Sequence, residues 1–380
     1  MALRYLLADQ LAFLRARGHD VSAICGNDGA VPELESRGIA VRRAGLTRRV
    51  DPLGDARALG ELIALLRELR PDVVHTHTPK ASLLGQWAAG FARTPFRVHT
   101  IHGLYFPGDM RERDRWKYAW IERLQMMPAD LVLSQNREDI ETCRALRLCR
   151  PAKVSYLGNG IDLDRFHPRN REPGTAATLR GELKIPEGAP VVGMVGRLVR
   201  EKGYLELFEA ARDIKARWPD AVFLAIGPRE PIKADGVTDA DVVAAGLGGS
   251  LRLLGNREDV ASLYGVMDVL AHPSHREGFP RAPMEASATG VPVVATDIRG
   301  NREAVFPEEN GVLVRRGAPA LAAGIIRLLS EPEVRQRMAV RARQIAEERF
   351  DQQDVFERVA RVYDALLSSR ATATPRSSRS

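Results

Sequence analysis

Two carboxylates in one short stretch have the spacing to do chemistry together. Glu277 and Glu285 stand eight positions apart in His-Arg-Glu-Gly-Phe-Pro-Arg-Ala-Pro-Met-Glu. Carboxylates accept hydrogen bonds from hydroxyls. Unpaired backbone N–H groups at a helix start, here near Gly278 and Phe279, suit a phosphate. A ligand with a diphosphate at its middle and sugar hydroxyls at both ends satisfies the two together, which describes a nucleotide sugar. On spacing alone, a solvated loop charge and a charge on a helix face would also account for the pair.

The surrounding elements decide where the carboxylates sit. A strand is expected at Asp268-Val-Leu-Ala-His272, and a second at Val291-Pro-Val-Val-Ala295. Pro280 and Pro283 suit the first turn of a helix that continues through Met284–Ala288 and stops at Gly290. Glu277 therefore falls on the loop after a strand, with Glu285 about two turns into the helix. Ligands of open α/β sheets bind at the carboxyl ends of strands. Upstream, the apolar run Pro190-Val-Val-Gly-Met-Val195 ends in Gly196-Arg197, with Lys202-Gly203 following. Arg197 and Lys202 are natural counter-charges for a departing diphosphate. Gly193-x-x-Gly196 lacks the third glycine of a dinucleotide fingerprint.

At 380 residues, two domains of ordinary size are expected. The 44% hydrophobic and 28% charged content belongs to a globular protein. No run of 18 apolar residues offers a spanning helix. No signal pattern opens the chain, so the expected location is the cytoplasm, at most peripheral on the inner face of the plasma membrane. Cys25, Cys143 and Cys149 have no metal spacing and read as reduced thiols. The formal charge of +7 favours an anionic partner. With no recognised motif, nucleic acid is not expected to be one.

Along the amino-terminal half, helical and strand patterns alternate. Leu3, Leu6, Leu7, Leu11 and Leu14 predict a helix closed by Gly18, followed by a strand ending at Cys25. Further strands are expected at 38–42, 71–75, 97–101, 130–134 and 153–157. Arg42, Arg43, Arg48 and Arg49 make a basic patch, either a solvated face or a contact for an anionic acceptor or membrane. His75, His77, His99 and His102 admit a metal reading, but no acidic ligand accompanies them, and a packed-core role suits His75 and His99 better. In Arg111–Met127, Trp116, Trp120, Leu124 and Met127 share one helical face amid arginines and Lys117. That face either packs on its own domain or lies in a membrane interface. A polar loop is expected at 169–178, and residues 368–380 are expected to be a disordered tail.

The motifs, taken in order, resemble the family 4 retaining glycosyltransferases. His-Arg-Glu-Gly-Phe-Pro, Met-Glu-Ala and Gly-Val-Pro-Val-Val-Ala-Thr look like that family's donor-site signature, and the carboxylate pair with seven residues between is its hallmark. Gly196-Arg197 and Lys202-Gly203 match its phosphate-binding positions. Asn159-Gly160 through His167-Pro168 looks like its hinge. His75-Thr-His-Thr-Pro-Lys-Ala resembles the subset that glycosylates lipid-linked or polysaccharide precursors. The resemblance runs to about residue 365.

It implies the α/β fold called GT-B, two Rossmann-like doubly wound domains. The first would cover 1–168, with a helix at about 350–367 crossing back to it; the second would cover 169–349. Family members begin with a strand and a glycine-rich turn, whereas this chain opens on a helix, so about fifteen residues encoded upstream are expected to complete the first sheet.

The implied activity is retaining transfer of a sugar from a nucleotide diphosphate sugar, UDP-linked by preference, to a hydroxyl of a lipid-linked acceptor. In that reading Gly196, Arg197, Lys202 and the helix start at Gly278, Phe279 and Pro280 hold the diphosphate, and Arg257 lies by the base. Glu285 grips the ribose, Glu277 binds the donor sugar, and His102 orients or polarises it. No metal or other cofactor is required. An anionic membrane surface is a candidate partner. A nucleotide-sugar-binding protein without turnover and a GT-B epimerase are the rival readings.

Overall fold

A computed structural model describes residues 7–26, 31–47, 51–104, 110–230 and 233–373. The chain divides into two compact units. One runs to Gly158 and resumes at Gln353, and the other is Asn159–Gln352.

In the amino-terminal unit the elements are α1 (Ala8–Ala16), β1 (Ser22–Cys25), α2 (Val31–Ser36), β2 (Ala40–Arg43), α3 (Pro52–Leu69), β3 (Val73–His77), α4 (Pro79–Phe91), β4 (Phe96–Ile101), α5 (Glu112–Met126), β5 (Leu131–Ser134), α6 (Arg137–Ala145) and β6 (Val154–Tyr156). Local signals set several boundaries. The Asp51 side chain accepts from Gly54 N at the start of α3, where Pro52 needs no N–H partner. Asn136 caps α6 through Asp139 N. The described strands lie in two parallel sheets, β1-β2 and β3-β4-β5-β6. In the second, His77 pairs in register with Thr100, and Ile101 with Ser134.

The carboxy-terminal unit holds α7 (Pro173–Glu182), β7 (Val191–Val195), α8 (Tyr204–Arg217), β8 (Val222–Ile226), α9 (Asp239–Ala245), β9 (Leu251–Gly255), α10 (Val260–Gly265), β10 (Val269–His272), α11 (Arg281–Thr289), β11 (Val293–Thr296), β12 (Gly311–Val314), α12 (Ala318–Ser330) and α13 (Pro332–Arg349). Its strands form one parallel sheet, ordered β12-β11-β10-β7-β8-β9. Strands such as Val-Phe-Leu-Ala-Ile in β8 are apolar at every position because helices cover both faces. The strand order reverses between β7 and β10, so the crevice outside their carboxyl ends is the topological switch point.

The domain boundary falls earlier than the expected residue 168. Ile161 and Phe166 are buried in the carboxy-terminal core, Ile161 N donates to Phe350 O, and Gln352 N donates to Ile161 O. Residues 169–178 are not a loop throughout: α7 begins at Pro173 and buries Leu179. The final helix, α14 (Gln352–Ala373), outruns the expected end at 367. Its Val355, Val359 and Ala360 pack with Leu14, Val98, Leu133 and Leu157 of the amino-terminal unit. Leu3, Leu6, Arg48, Arg49 and positions 374–380 lie outside the described residues.

Candidate functional site

The switch point is built by two loops, one after β7 and one after β10. His275 N donates to Glu201 O at 2.8 Å, and Arg276 Nε to Glu201 Oε1 at 2.7 Å. Gly203, at φ 87°, lets the loops close: a Cβ there would collide with the Pro273 carbonyl. The same closeness brings Lys202 Nζ to 2.5 Å from Glu277 Oε1. Gly300 serves Glu277 from the other side, since a Cβ there would overlap its backbone.

Glu277 is only 11% exposed at its side chain. Burial alone would raise its pKa, but the charge of Lys202 and the neighbouring His272 outweigh it and hold the carboxyl well below the usual range. His272 was not among the expected site residues. It is 3% exposed, and its Nε2 stands 3.1 Å from Glu277 Oε1 without an aligned hydrogen bond. Its place at the end of β10, five residues before Glu277, was the available signal. Oε1 thus faces two nitrogens.

Glu285 is the fifth residue of α11, just over one turn in rather than two, because the helix opens at Arg281 and not at Gly278. Pro280 is the residue before the helix, and Gly290, at φ 74°, ends it. Glu285 is buried, accepts from Tyr264 Oη at 3.0 Å, and lies 3.4 Å from Arg281 Nε. Burial, with Glu285 beside it, pushes the Tyr264 hydroxyl far above its ordinary pKa, so it remains a donor. Phe279 is buried edge-on to Phe350, and its carbonyl accepts from Asn159 Nδ2. Gly278 occupies the half-buried turn between Glu277 and Phe279.

Gly196 directly follows β7, and its carbonyl accepts from Tyr204 Oη at 2.8 Å. Arg197 follows; its guanidinium is a third exposed, 3.7 Å from Glu230. Arg257, after β9, is held by Asp259 through two bonds of 2.7 and 2.6 Å. The sheet thus gathers Lys202, Glu277 and His272 in direct contact, with Arg197 on the same β7 loop. Arg257 stands two strands away from β7. His102 belongs to the other unit, one residue past β4.

Parallel α/β sheets in two Rossmann-like units are the architecture of the GT-B glycosyltransferases. Residues 5–160 match the model of the glycosyl transferase 4-like domain, and residues 176–345 that of glycosyl transferases group 1. The UDP-Gal:alpha-D-GlcNAc-diphosphoundecaprenol alpha-1,3-galactosyltransferase of Escherichia coli is 33% identical over 306 residues, covering 78% of this chain and 76% of the relative. The capsular polysaccharide biosynthesis glycosyltransferase CapM of Staphylococcus aureus is 26% identical over 371 residues, 95% and 94% of the two chains. Anabaena HepE in complex with UDP and glucose superposes with a TM-score of 0.80 at 23% identity, covering 94% of this chain and 95% of that one. The chain belongs to the family 4 glycosyltransferases.

Proposed function

We propose that this glycosyltransferase moves a hexose or N-acetylhexosamine from a UDP-linked donor to a hydroxyl of a lipid-linked glycan or polysaccharide precursor, with retention at the anomeric carbon. The bond from that carbon to the diphosphate breaks and a bond to the acceptor oxygen forms on the same face. The acceptor proton passes to the leaving phosphate. Arg197 and Lys202 stabilise the charge on that phosphate, with Gly196 and the turn at Gly278–Pro280 giving backbone access. Glu277 accepts donor-sugar hydroxyls and Glu285 those of the ribose. Arg257 lies towards the base. Fixed cations take the place of a metal.

The contact of Lys202 with Glu277 at the switch point carries this reading: one cation and one carboxylate, held adjacent, suit a ligand whose phosphate and sugar are adjacent. The lipid-linked acceptor is supported by the diphosphoundecaprenol-linked acceptor of the E. coli relative and by helix α5. There Trp116, Trp120, Ile121 and Met127 are 45–56% exposed, beside Arg113 and Arg123. A groove of about 320 Å³ runs along the same helix. Among the described residues no helix is long and apolar enough to cross a membrane. An anionic membrane surface fits α5.

The test is a metal-free thermal-shift panel of UDP, GDP, ADP and their sugars, followed by transfer assays with the donor that binds. A ligand of the folded state raises the melting temperature. The expected result is a shift with UDP-sugars that Arg197→Ala abolishes, along with at least a hundredfold loss of transfer. No shift with any nucleotide, or wild-type transfer by Arg197→Ala, overturns the proposal.

A further inference from the structure

Three histidines crowd the carboxyl ends of β3 and β4. His75 and His77 share one face of β3, their rings 4.3 Å apart, and the His77 and His102 rings are 5.2 Å apart. Their nitrogens are almost all engaged. His75 Nδ1 meets Tyr363 Oη at 2.8 Å and Nε2 meets Thr100 Oγ1 at 2.7 Å. His102 Nδ1 meets Gln135 Oε1 at 3.0 Å, and His102 Nε2 meets His77 Nδ1 at 2.9 Å.

The hydrogen-bond directions follow from the acceptor at the end of the chain. Gln135 presents an oxygen, so His102 Nδ1 must carry the proton and donate. Burial keeps His102 neutral by lowering its pKa, so its Nε2 is bare and accepts. His77 Nδ1 then carries a proton and donates to it. Burial holds His77 neutral too, which leaves His77 Nε2 as an unprotonated acceptor. That nitrogen has no hydrogen-bond partner among the described residues, and the residue is only half-buried. His102, the residue expected to meet the donor, has both ring nitrogens committed.

We infer that His77 meets substrate, its Nε2 accepting a hydrogen bond from a substrate hydroxyl, while the ring nitrogens of His102 and the Gln135 amide set its tautomer. The hydroxyl's identity rests on the glycosyl-transfer reading; the tautomer assignment does not. Strand ends of a parallel sheet are where such a ligand arrives.

The experiment has two arms. Long-range proton–nitrogen spectra of histidine-labelled protein read the tautomers directly, without ligand. Both His77 and His102 are expected in the Nδ1–H form at pH 7; an Nε2–H form at either overturns the inference. The second arm compares His77→Asn with His77→Gln. Asparagine retains an N–H near the Nδ1 position and loses the free nitrogen; glutamine places a polar atom near Nε2. Transfer is followed from UDP-glucose, UDP-galactose and their N-acetyl forms to a short-chain diphosphopolyprenol-linked N-acetylglucosamine. His77→Asn should keep the His102 tautomer yet lose at least tenfold in kcat/KM, with His77→Gln retaining more. Undiminished turnover in His77→Asn reduces His77 to a support for His102 and sinks the inference. If the wild type transfers nothing, the spectra still decide the tautomers and the failure falls on the proposed function.

Discussion

Replacing Lys202 by methionine should separate two things that one side chain does. In the wild type its ammonium lies 2.5 Å from Glu277 Oε1, with side-chain exposures of 20% and 11%. Breaking a buried ion pair by removing one partner costs about 3–5 kcal/mol, because a charge is left buried and uncompensated. Water reaches part of this pair, and His272 remains 3.1 Å away, so about 2.5 kcal/mol is the expected loss, discounted from that range. For a unit of this size that is a fall of roughly 5–10 °C in melting temperature.

The sign of the pH dependence is specific. Wild-type Glu277 has a folded pKa below its unfolded value, so the pair contributes stability above the unfolded pKa that is lost as pH falls through the folded one. In Lys202→Met, burial without the counter-charge should raise the Glu277 pKa above the unfolded value. The variant then regains stability relative to wild type as pH falls from 7 towards about 4.5, where the carboxyl takes up a proton. The double variant Lys202→Met/Glu277→Gln should recover to within about 1 kcal/mol of wild type, since a neutral pair carries no stranded charge. Its transfer activity should stay at least a hundredfold down. Differential scanning fluorimetry at pH 7 and 4.5 with a transfer assay is sufficient. A wild-type-to-variant gap that does not narrow on acidification, or a double variant no more stable than the single, refutes the ion-pair account.

Two other outcomes are expected. Burial lowers the pKa of His75 to about 3 and of His99 to about 4. The folded state therefore resists protonation and loses stability as pH falls from 6.5 towards those values. For His99, only 3% exposed, the loss between pH 6.5 and 5 is about 1.6 kcal/mol; His99→Asn should flatten the pH profile of the amino-terminal unit by that amount, and an unchanged slope contradicts the assignment. Wild-type protein should float with anionic liposomes at low salt, and Trp116→Ser/Trp120→Ser should not; equal flotation of the two removes α5 as the contact.

The sequence by itself determined the alternation of strands and helices in the carboxy-terminal half, and the loop positions of Arg197, Lys202 and Glu277. Parallel strands buried on both faces must be continuously apolar, and glycines such as Gly203 and Gly290 mark turns that other residues enter at a cost. Local chemistry also ended α11 at Gly290. What lay between residues distant in the chain was not legible. Lys202 and Glu277, 75 positions apart, touch only because β7 and β10 become neighbours at the sheet's reversal. His272 looked like the last residue of a strand until burial set it against the carboxylate. Residues 159–168 read as a linker, yet long-range packing of Ile161 and Phe166 assigned them to the second unit. The tryptophan face of α5 had two readings by periodicity, since core and exposed faces repeat alike; only the packed neighbours show that Gln125 and Met126 turn inward and the tryptophans outward. The proton order in His77–His102–Gln135 is tertiary altogether, because three strand ends must meet before any nitrogen has a partner.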